Sequence, residues 1–148
     1  IYYSSEDTAI RTVVSNSVSV CLWDRQLKQG GMNHFLYPHT EVKKKSTPRF
    51  GNIATTALIN TLEEGGSDKA NLVAQIVGGA SYTKTTNNIG EKNISMARKI
   101  LTKNDIPIIS EDVGGELGRK VIFDLKTGHL LVVKVHQIRE SDWVKEIC

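Results

Sequence analysis

The 148 residues of this chain fit one domain and leave little room for a second, so we expect a single domain over residues 1–148. Hydrophobic residues make up 39% and charged residues 24%, values typical of a soluble globular protein and not of a disordered or fibrous one. The 19 basic and 16 acidic residues leave a net charge of +3, and the basic run Lys43-Lys44-Lys45 has no interleaved aromatic residues, so we expect no nucleic-acid partner.

Short strands dominate the first part of the chain. Runs rich in Val, with Thr and Trp, predict strands at 12–14 and 18–23. The small polar residues at 15–17 lie between them and predict a turn, because such side chains bond their own backbone. A further strand is predicted at 32–37, immediately after Gly30-Gly31.

Two helices and a hairpin follow. Apolar residues at helical spacing predict helices at about 52–64 and 90–103. Four more strands and a short helix complete the predicted elements: strands at 72–77, 106–109, 121–125 and 129–135, the last two joined by Lys126-Thr127-Gly128, and a short helix in the tail around Trp143. Two helices against six or seven strands predict an α+β fold of packed, mostly antiparallel β-sheets flanked by the helices.

The cysteines and the hydropathy pattern indicate the compartment. Cys21 and Cys148 provide neither a disulfide framework nor a zinc site. No stretch approaches about 18 consecutive apolar residues, so we expect no membrane insertion. We therefore expect a protein of the reducing cytoplasm.

His34 is the histidine whose surroundings point to chemistry. The other three, His39, His129 and His136, lie in a polar loop or at the ends of a hairpin strand, without further ligands at metal-binding spacing, so we expect neither a metal nor a cofactor. His34 lies in a predicted strand that closely follows the turn 15–17. A turn that presents a nucleophile beside an imidazole is the pairing that acyl transfer requires. A histidine packed in the core is the competing interpretation of this spacing.

Four short motifs extend that observation to the whole chain. In order they are Gly31-Met32-Asn33-His34-Phe35, Val77-Gly78-Gly79-Ala80, Ile89-Gly90-Glu91-Lys92-Asn93, and Asp112-Val113-Gly114-Gly115 followed by Gly118-Arg119-Lys120. Together they resemble the successive motifs of CheD, the family of chemoreceptor glutamine deamidases of bacterial chemotaxis. Each motif alone is weakly specific, whereas four in the right order make the resemblance strong.

The resemblance implies a fold, an activity and partners. The fold is α+β, with packed sheets flanked by helices, related to a class of cysteine deamidase toxins. The activity is hydrolysis of glutamine side chains on methyl-accepting chemoreceptors, which leaves glutamate and releases ammonia. The implied partners are the cytoplasmic helices of those receptors and a CheC-type phosphatase.

The resemblance also implies a catalytic set, which this chain matches in part. The family uses a Cys nucleophile, a His base and a Thr that orients the His; His34 matches the His and Thr12 the Thr. Where the family reads Leu-Gly-Ser-Cys-Val, this chain reads Val14-Ser15-Asn16-Ser17-Val18, so that Ser17 occupies the nucleophile position. Cys21 matches a second, non-catalytic position further along the strand.

The serine leaves two functions open. A thiol with a pKa near about 8.5 is partly ionised at neutral pH, whereas a serine hydroxyl depends on its base to remove the proton. Ser15 and Asn16 also differ from the family, which favours a naturally diverged turn over a single engineered change. The first function is a glutamine deamidase. The second is a catalytically impaired CheD-like module that binds a receptor or a CheC-type phosphatase without releasing ammonia.

Overall fold

A computed structural model describes residues 1–81 and 87–136 of the chain. These residues form two α-helices, two single-turn 3-10 helices (Lys43–Lys45 and Lys69–Asn71) and eight strands, which confirms the predicted α+β class. The α-helices are α1 (Gly51–Glu64) and α2 (Ile89–Lys103). The strands are β1 (Tyr2–Ser4), β2 (Ala9–Val14), β3 (Val18–Asp24), β4 (Gln29–Met32), β5 (Leu72–Gly78), β6 (Ile108–Val113), β7 (Gly118–Asp124) and β8 (Leu130–Val135).

The strands form two sheets. The larger has the order β1-β4-β3-β5-β6 and is antiparallel except for the pair β5–β6. Helix α2 lies between β5 and β6 in the chain and provides the crossover that a parallel pair needs. The smaller sheet, β2-β7-β8, is antiparallel throughout, and β7 and β8 form the predicted hairpin.

The larger sheet lies between the two helices and the smaller sheet. Strand β3 shows why: Val18, Val20 and Leu22 point to one face and pack in a core shared with both helices. Cys21 points to the other face and packs in a second core with residues of β2 and β7. Both faces of a central strand are therefore apolar, in contrast to the alternating pattern of a half-exposed strand.

The predicted strand 32–37 is wrong in position. Strand β4 begins at Gln29 and ends at Met32, so His34 lies just after the strand and not within it. The pairing with β3 is interrupted because the Oδ1 atom of Asn33 accepts the Val20 N–H at 2.9 Å, in place of a backbone carbonyl. Pairing in the same register resumes at an isolated bridge between Val18 and Phe35.

Smaller differences concern strand ends. Strand β1 was not predicted. Strand β6 begins at Ile108 and not at residue 106, because Pro107 has no N–H group to donate. Only the carbonyl oxygen of Pro107 is bonded, by the N–H of Ala74 at 2.9 Å. The glycine-rich motif at 112–118 is a connection only in its middle, since its ends belong to β6 and β7. The helix predicted around Trp143 lies outside the described residues. Within the described part of the chain, neither helix is long and apolar enough to cross a membrane.

Candidate active site

The turn 15–17 connects the smaller sheet to the larger one and is held by three of its carbonyl groups. The carbonyl oxygens of Ser15 and Ser17 accept the N–H groups of Ala80 and Gly79, each at 2.8 Å. The carbonyl oxygen of Asn16 accepts the Nδ2 group of Asn93 at 3.0 Å. The turn is therefore fixed from the end of β5 on one side and from α2 on the other.

The glycines that follow β5 allow this close approach. Gly78 and Gly79 have φ values of +112° and +71°, in the left-handed region that L side chains rarely adopt. A Cβ atom on Gly78 would overlap the carbonyl oxygen of Ser17, and one on Gly79 would overlap Ile94 of α2. This motif therefore serves the shape of the turn that carries Ser17.

The segment after β4 brings His34 to the same place. Phe35 exchanges backbone hydrogen bonds with Val18, at 3.0 and 3.1 Å, and the carbonyl of Leu36 accepts the Nδ2 group of Asn93 at 3.0 Å. Asn93 thus donates to both the serine turn and the histidine segment. Its side chain is 0% exposed.

The three residues of the predicted catalytic set are in contact. The Oγ atom of Ser17 lies 2.9 Å from Nε2 of His34. On the other side of the same ring, Oγ1 of Thr12 lies 3.2 Å from Nδ1 of His34. Both distances are within hydrogen-bond range, so the imidazole bridges the hydroxyl groups of β2 and of the turn. A nucleophile, a base and a group that orients the base stand in this order in hydrolases of the serine–histidine type.

Burial sets the charge state of this site. Ser17 is 5% exposed and His34 is half-buried. Burial, which disfavours the charged imidazolium, lowers the pKa of His34 below its ordinary value of 6.5. The ring is therefore neutral at neutral pH, the state in which Nε2 or Nδ1 accepts a proton.

A cavity of about 400 Å³ opens beside the imidazole. Its walls are formed by His34, Leu36, Thr47, Pro48 and Arg49. This volume is within the range of small-ligand sites and suffices for a single amino-acid side chain. The cavity lies between His34 and the segment 47–49.

Several other polar residues of the motifs have structural contacts. The guanidinium of Arg119, 2% exposed, donates to Oδ1 of Asp112 at 3.2 Å and to the carbonyl of Leu117 at 2.9 Å, which ties β7 to β6. Arg119 and Asp112 therefore form a structural pair between two strands. Burial raises the pKa of the Cys21 thiol, which is 1% exposed and unsuited to act as a nucleophile.

No cluster of three His, Cys, Asp or Glu side chains able to hold a metal ion occurs in residues 1–81 and 87–136. His39 lies 3.4 Å from the carboxylate of Glu41, away from the Ser17–His34 pair. The contacts around Ser17 and His34 are made by hydroxyl, imidazole, side-chain amide and backbone groups.

Two asparagines were missed by the sequence reasoning, although both lie in the motifs. Asn33 directly precedes His34 and is held by two side-chain bonds: its Oδ1 atom accepts the Val20 N–H, and its Nδ2 group donates to Oγ1 of Thr55 at 3.3 Å. Asn93 orders both halves of the site. The signal was a polar residue at a position that helical periodicity assigns to the buried face, beside Ile94 and Ala97.

Comparison with known proteins gives consistent results. A family model described as CheD chemotactic sensory transduction matches residues 36–134. A probable chemoreceptor glutamine deamidase CheD 1 of Anaeromyxobacter dehalogenans is 40% identical over 131 residues, covering 86% of this chain and 76% of that protein. Probable chemoreceptor glutamine deamidases CheD of Trichlorobacter lovleyi and Sulfurimonas denitrificans are 37% and 33% identical over 134 and 141 residues, covering 88% and 93% of this chain and 83% and 90% of theirs.

Proposed function

Because this chain belongs to the CheD family, we propose that it hydrolyses the side-chain amide of chemoreceptor glutamines to glutamate and ammonia, with Ser17 as nucleophile. The observation that carries the proposal is the 2.9 Å contact between Oγ of Ser17 and Nε2 of His34. The names of its relatives support the substrate class, since each is a probable chemoreceptor glutamine deamidase.

The first half of the reaction is acyl transfer to serine. As Oγ of Ser17 attacks the amide carbon, Nε2 of His34 takes the hydroxyl proton. The resulting imidazolium returns that proton to the amide nitrogen, the C–N bond breaks, and ammonia leaves. The product of this half is an ester between Ser17 and the former glutamine side chain.

The second half is hydrolysis of the ester. His34 takes a proton from water, and the hydroxide that forms attacks the ester carbon. The bond to Oγ of Ser17 then breaks, and His34 returns the proton to the serine. Oγ1 of Thr12 accepts the Nδ1–H of His34 throughout, which keeps Nε2 free as the proton acceptor. The distance of 3.2 Å between Oγ1 and Nδ1 suits this hydrogen bond.

Backbone groups of the turn suit the negative oxygen that forms in both halves. The carbonyl oxygens of Ser15, Asn16 and Ser17 are all engaged with β5 or α2. Within the described residues, the N–H groups of Asn16 and Ser17 have no backbone acceptor. These two donors adjoin the nucleophile, and one such donor contributes about 10²–10³ in rate in serine hydrolases.

A second candidate function is favoured by the burial of Ser17. At 5% exposure Ser17 is poorly accessible to a substrate amide, and serine is a weaker nucleophile than the cysteine of the family. Under this alternative the chain is a catalytically impaired CheD-like module that engages a receptor or a CheC-type phosphatase and acts by binding alone.

Ammonia release from a chemoreceptor cytoplasmic fragment separates the two functions. A deamidase releases ammonia and converts glutamine to glutamate, detected by peptide mass spectrometry, and both Ser17→Ala and His34→Ala abolish this conversion. Binding of the fragment or the phosphatase without any conversion supports the module. Conversion that survives Ser17→Ala contradicts the proposed nucleophile.

A further inference from the structure

Arg49 is a charged side chain without a charged partner at the edge of the candidate active site. It lines the cavity beside His34 and is exposed. Within the described residues its guanidinium has neither a carboxylate nor a hydrogen-bond acceptor. The arginines Arg98 and Arg119, by contrast, are paired with Glu111 and Asp112.

The backbone of Arg49 belongs to the same hydrogen-bonded frame as the reactive groups. Its carbonyl oxygen accepts the N–H groups of Leu36 and Tyr37, at 2.9 and 3.0 Å. The carbonyl of Leu36 is in turn held by Asn93, which also holds the turn before Ser17. The backbone of Arg49 is therefore fixed relative to His34 and Ser17, whereas its exposed guanidinium is available to bind a ligand.

The surroundings of Arg49 suit a peptide that carries an acidic residue. Leu36, which lines the cavity, and its neighbour Tyr37 are 43% and 47% exposed, so they can contact the apolar part of a bound peptide. A guanidinium presents five donors in a planar fork that matches a carboxylate. The target glutamine itself is uncharged, so an acidic partner for Arg49 must come from another residue of the substrate.

We propose that Arg49 is a specificity-determining residue that binds a substrate carboxylate close to the glutamine held beside His34. Glutamines with an acidic neighbour are then preferred over those with a neutral or basic one. This inference rests on the proposed function for the kind of substrate, but it concerns binding and does not require turnover by Ser17.

Peptide binding tests the inference independently of catalysis. The probes are three synthetic peptides with a single glutamine, identical except for Glu, Ala or Lys one helical turn away, and the dissociation constants are measured by fluorescence anisotropy at low salt. We expect the Glu peptide to bind about twofold to fivefold more tightly than the Ala peptide, the range of an exposed ion pair. Arg49→Ala removes this preference, and Arg49→Glu reverses it in favour of Lys.

Arg25→Ala is the matched control, because Arg25 is also exposed and lies outside the cavity. This variant changes the net charge equally and is expected to keep the preference for Glu. Equal binding of the three peptides, no binding of any of them, or a preference that survives Arg49→Ala overturns the inference. Ammonia release from the same peptides is scored separately: a preference without ammonia contradicts the deamidase and leaves the role of Arg49 standing.

Discussion

Asn93 donates a hydrogen bond of 3.0 Å to the carbonyl oxygen of Asn16, the residue directly before Ser17. The same amide group reaches the carbonyl of Leu36, two residues after His34. One buried side chain therefore joins the two segments whose hydroxyl and imidazole meet, and it does so from a helix distant from both in sequence.

Replacing Asn93 is expected to damage both stability and the site. Asn93→Ala leaves the part-buried carbonyl groups of Asn16 and Leu36 without this donor, at a cost of up to about 1–3 kcal/mol for each. Urea unfolding measures the loss of unfolding free energy. The imidazole signals of His34, followed by NMR, report the accompanying change in the site.

Asn52→Ala is a matched control for this prediction. Asn52 also makes two side-chain bonds, both to the backbone of Thr40 at 2.9 and 3.2 Å, on α1 and away from the serine turn. The Asn52→Ala variant is expected to lower the free energy of unfolding while leaving the imidazole NMR signals of His34 unchanged. Equal effects of the two variants on His34 would show that Asn93 has no positioning role.

The conformation after β5 provides a second prediction. Gly78 and Gly115 both have positive φ, but a Cβ on Gly78 meets the Ser17 carbonyl, whereas one on Gly115 meets nothing within 4 Å. Gly115→Ala is therefore expected to cost roughly 1–2 kcal/mol of backbone strain. Gly78→Ala adds a further 1–3 kcal/mol or so of overpacking. The free energy of unfolding of both variants is measured by thermal or urea unfolding. Equal losses for Gly78→Ala and Gly115→Ala would contradict the close contact at Gly78.

The helices and the hairpin were predictable from sequence because their signals are local. Apolar spacing on α1 and α2 reflects the single face that each buries, and Gly128 marks the turn between β7 and β8. The position of β4 was not predictable in this way. The pair Gly30-Gly31 is typical of a turn, yet both residues lie within strand β4. Glycine is needed there because the backbone of β3 and of β1 approaches too closely for a Cβ atom.

The site was predictable only in part, for a related reason. Family resemblance indicated Thr12, Ser17 and His34 as a set, and the structure brings them together, but their catalytic roles stay a prediction. Asn33 and Asn93 act through contacts distant in sequence, with Val20 and with the serine turn. Helical periodicity places Asn93 on the buried face of α2, but the groups that a buried asparagine binds have no signature in the local pattern of polar and apolar residues.

The lowered pKa of His34 predicts that stability depends on pH, and the proposed role of His34 predicts the same for activity. Burial lowers its pKa in the folded state below the ordinary 6.5, so below that pH the unfolded chain binds more protons than the folded one. The stability associated with neutral His34 is fully present above pH 6.5 and is lost as the pH falls through the interval down to the folded-state pKa. His34→Gln is expected to remove this component, measured as the difference between urea unfolding curves above and below pH 6.5.

The acidic limb of the rate profile follows the same group. Because the proposed mechanism uses neutral His34 as the base, half-maximal kcat/KM on the acidic side is expected below pH 6.5. NMR titration of the ring supplies the pKa for comparison. An acidic limb centred above pH 6.5, or an NMR pKa above that value, contradicts the assigned environment of His34.

Thiol chemistry tests where the turn aims its side chain. In a Cys148→Ser background, we expect Cys21 to resist alkylation in the folded state, since burial raises its pKa and leaves it 1% exposed. Ser17→Cys places a thiol beside His34, and this thiol is expected to react with iodoacetamide at a pH well below the usual thiol pKa of about 8.5. Adding His34→Ala slows that reaction, and an unchanged rate would mean that the imidazole does not reach residue 17.

Deamidation by the Ser17→Cys variant tests the central claim, that residue 17 is aimed as a nucleophile by a glutamine deamidase fold. Ammonia release and conversion of glutamine to glutamate are measured on a chemoreceptor cytoplasmic fragment. We expect Ser17→Cys to create or raise the activity, and His34→Ala in the same background to abolish it. If the turn needs the residues of the family as well, Ser15→Gly and Asn16→Ser restore them. A folded triple variant that releases no ammonia contradicts the claim and leaves the binding module as the function of this chain.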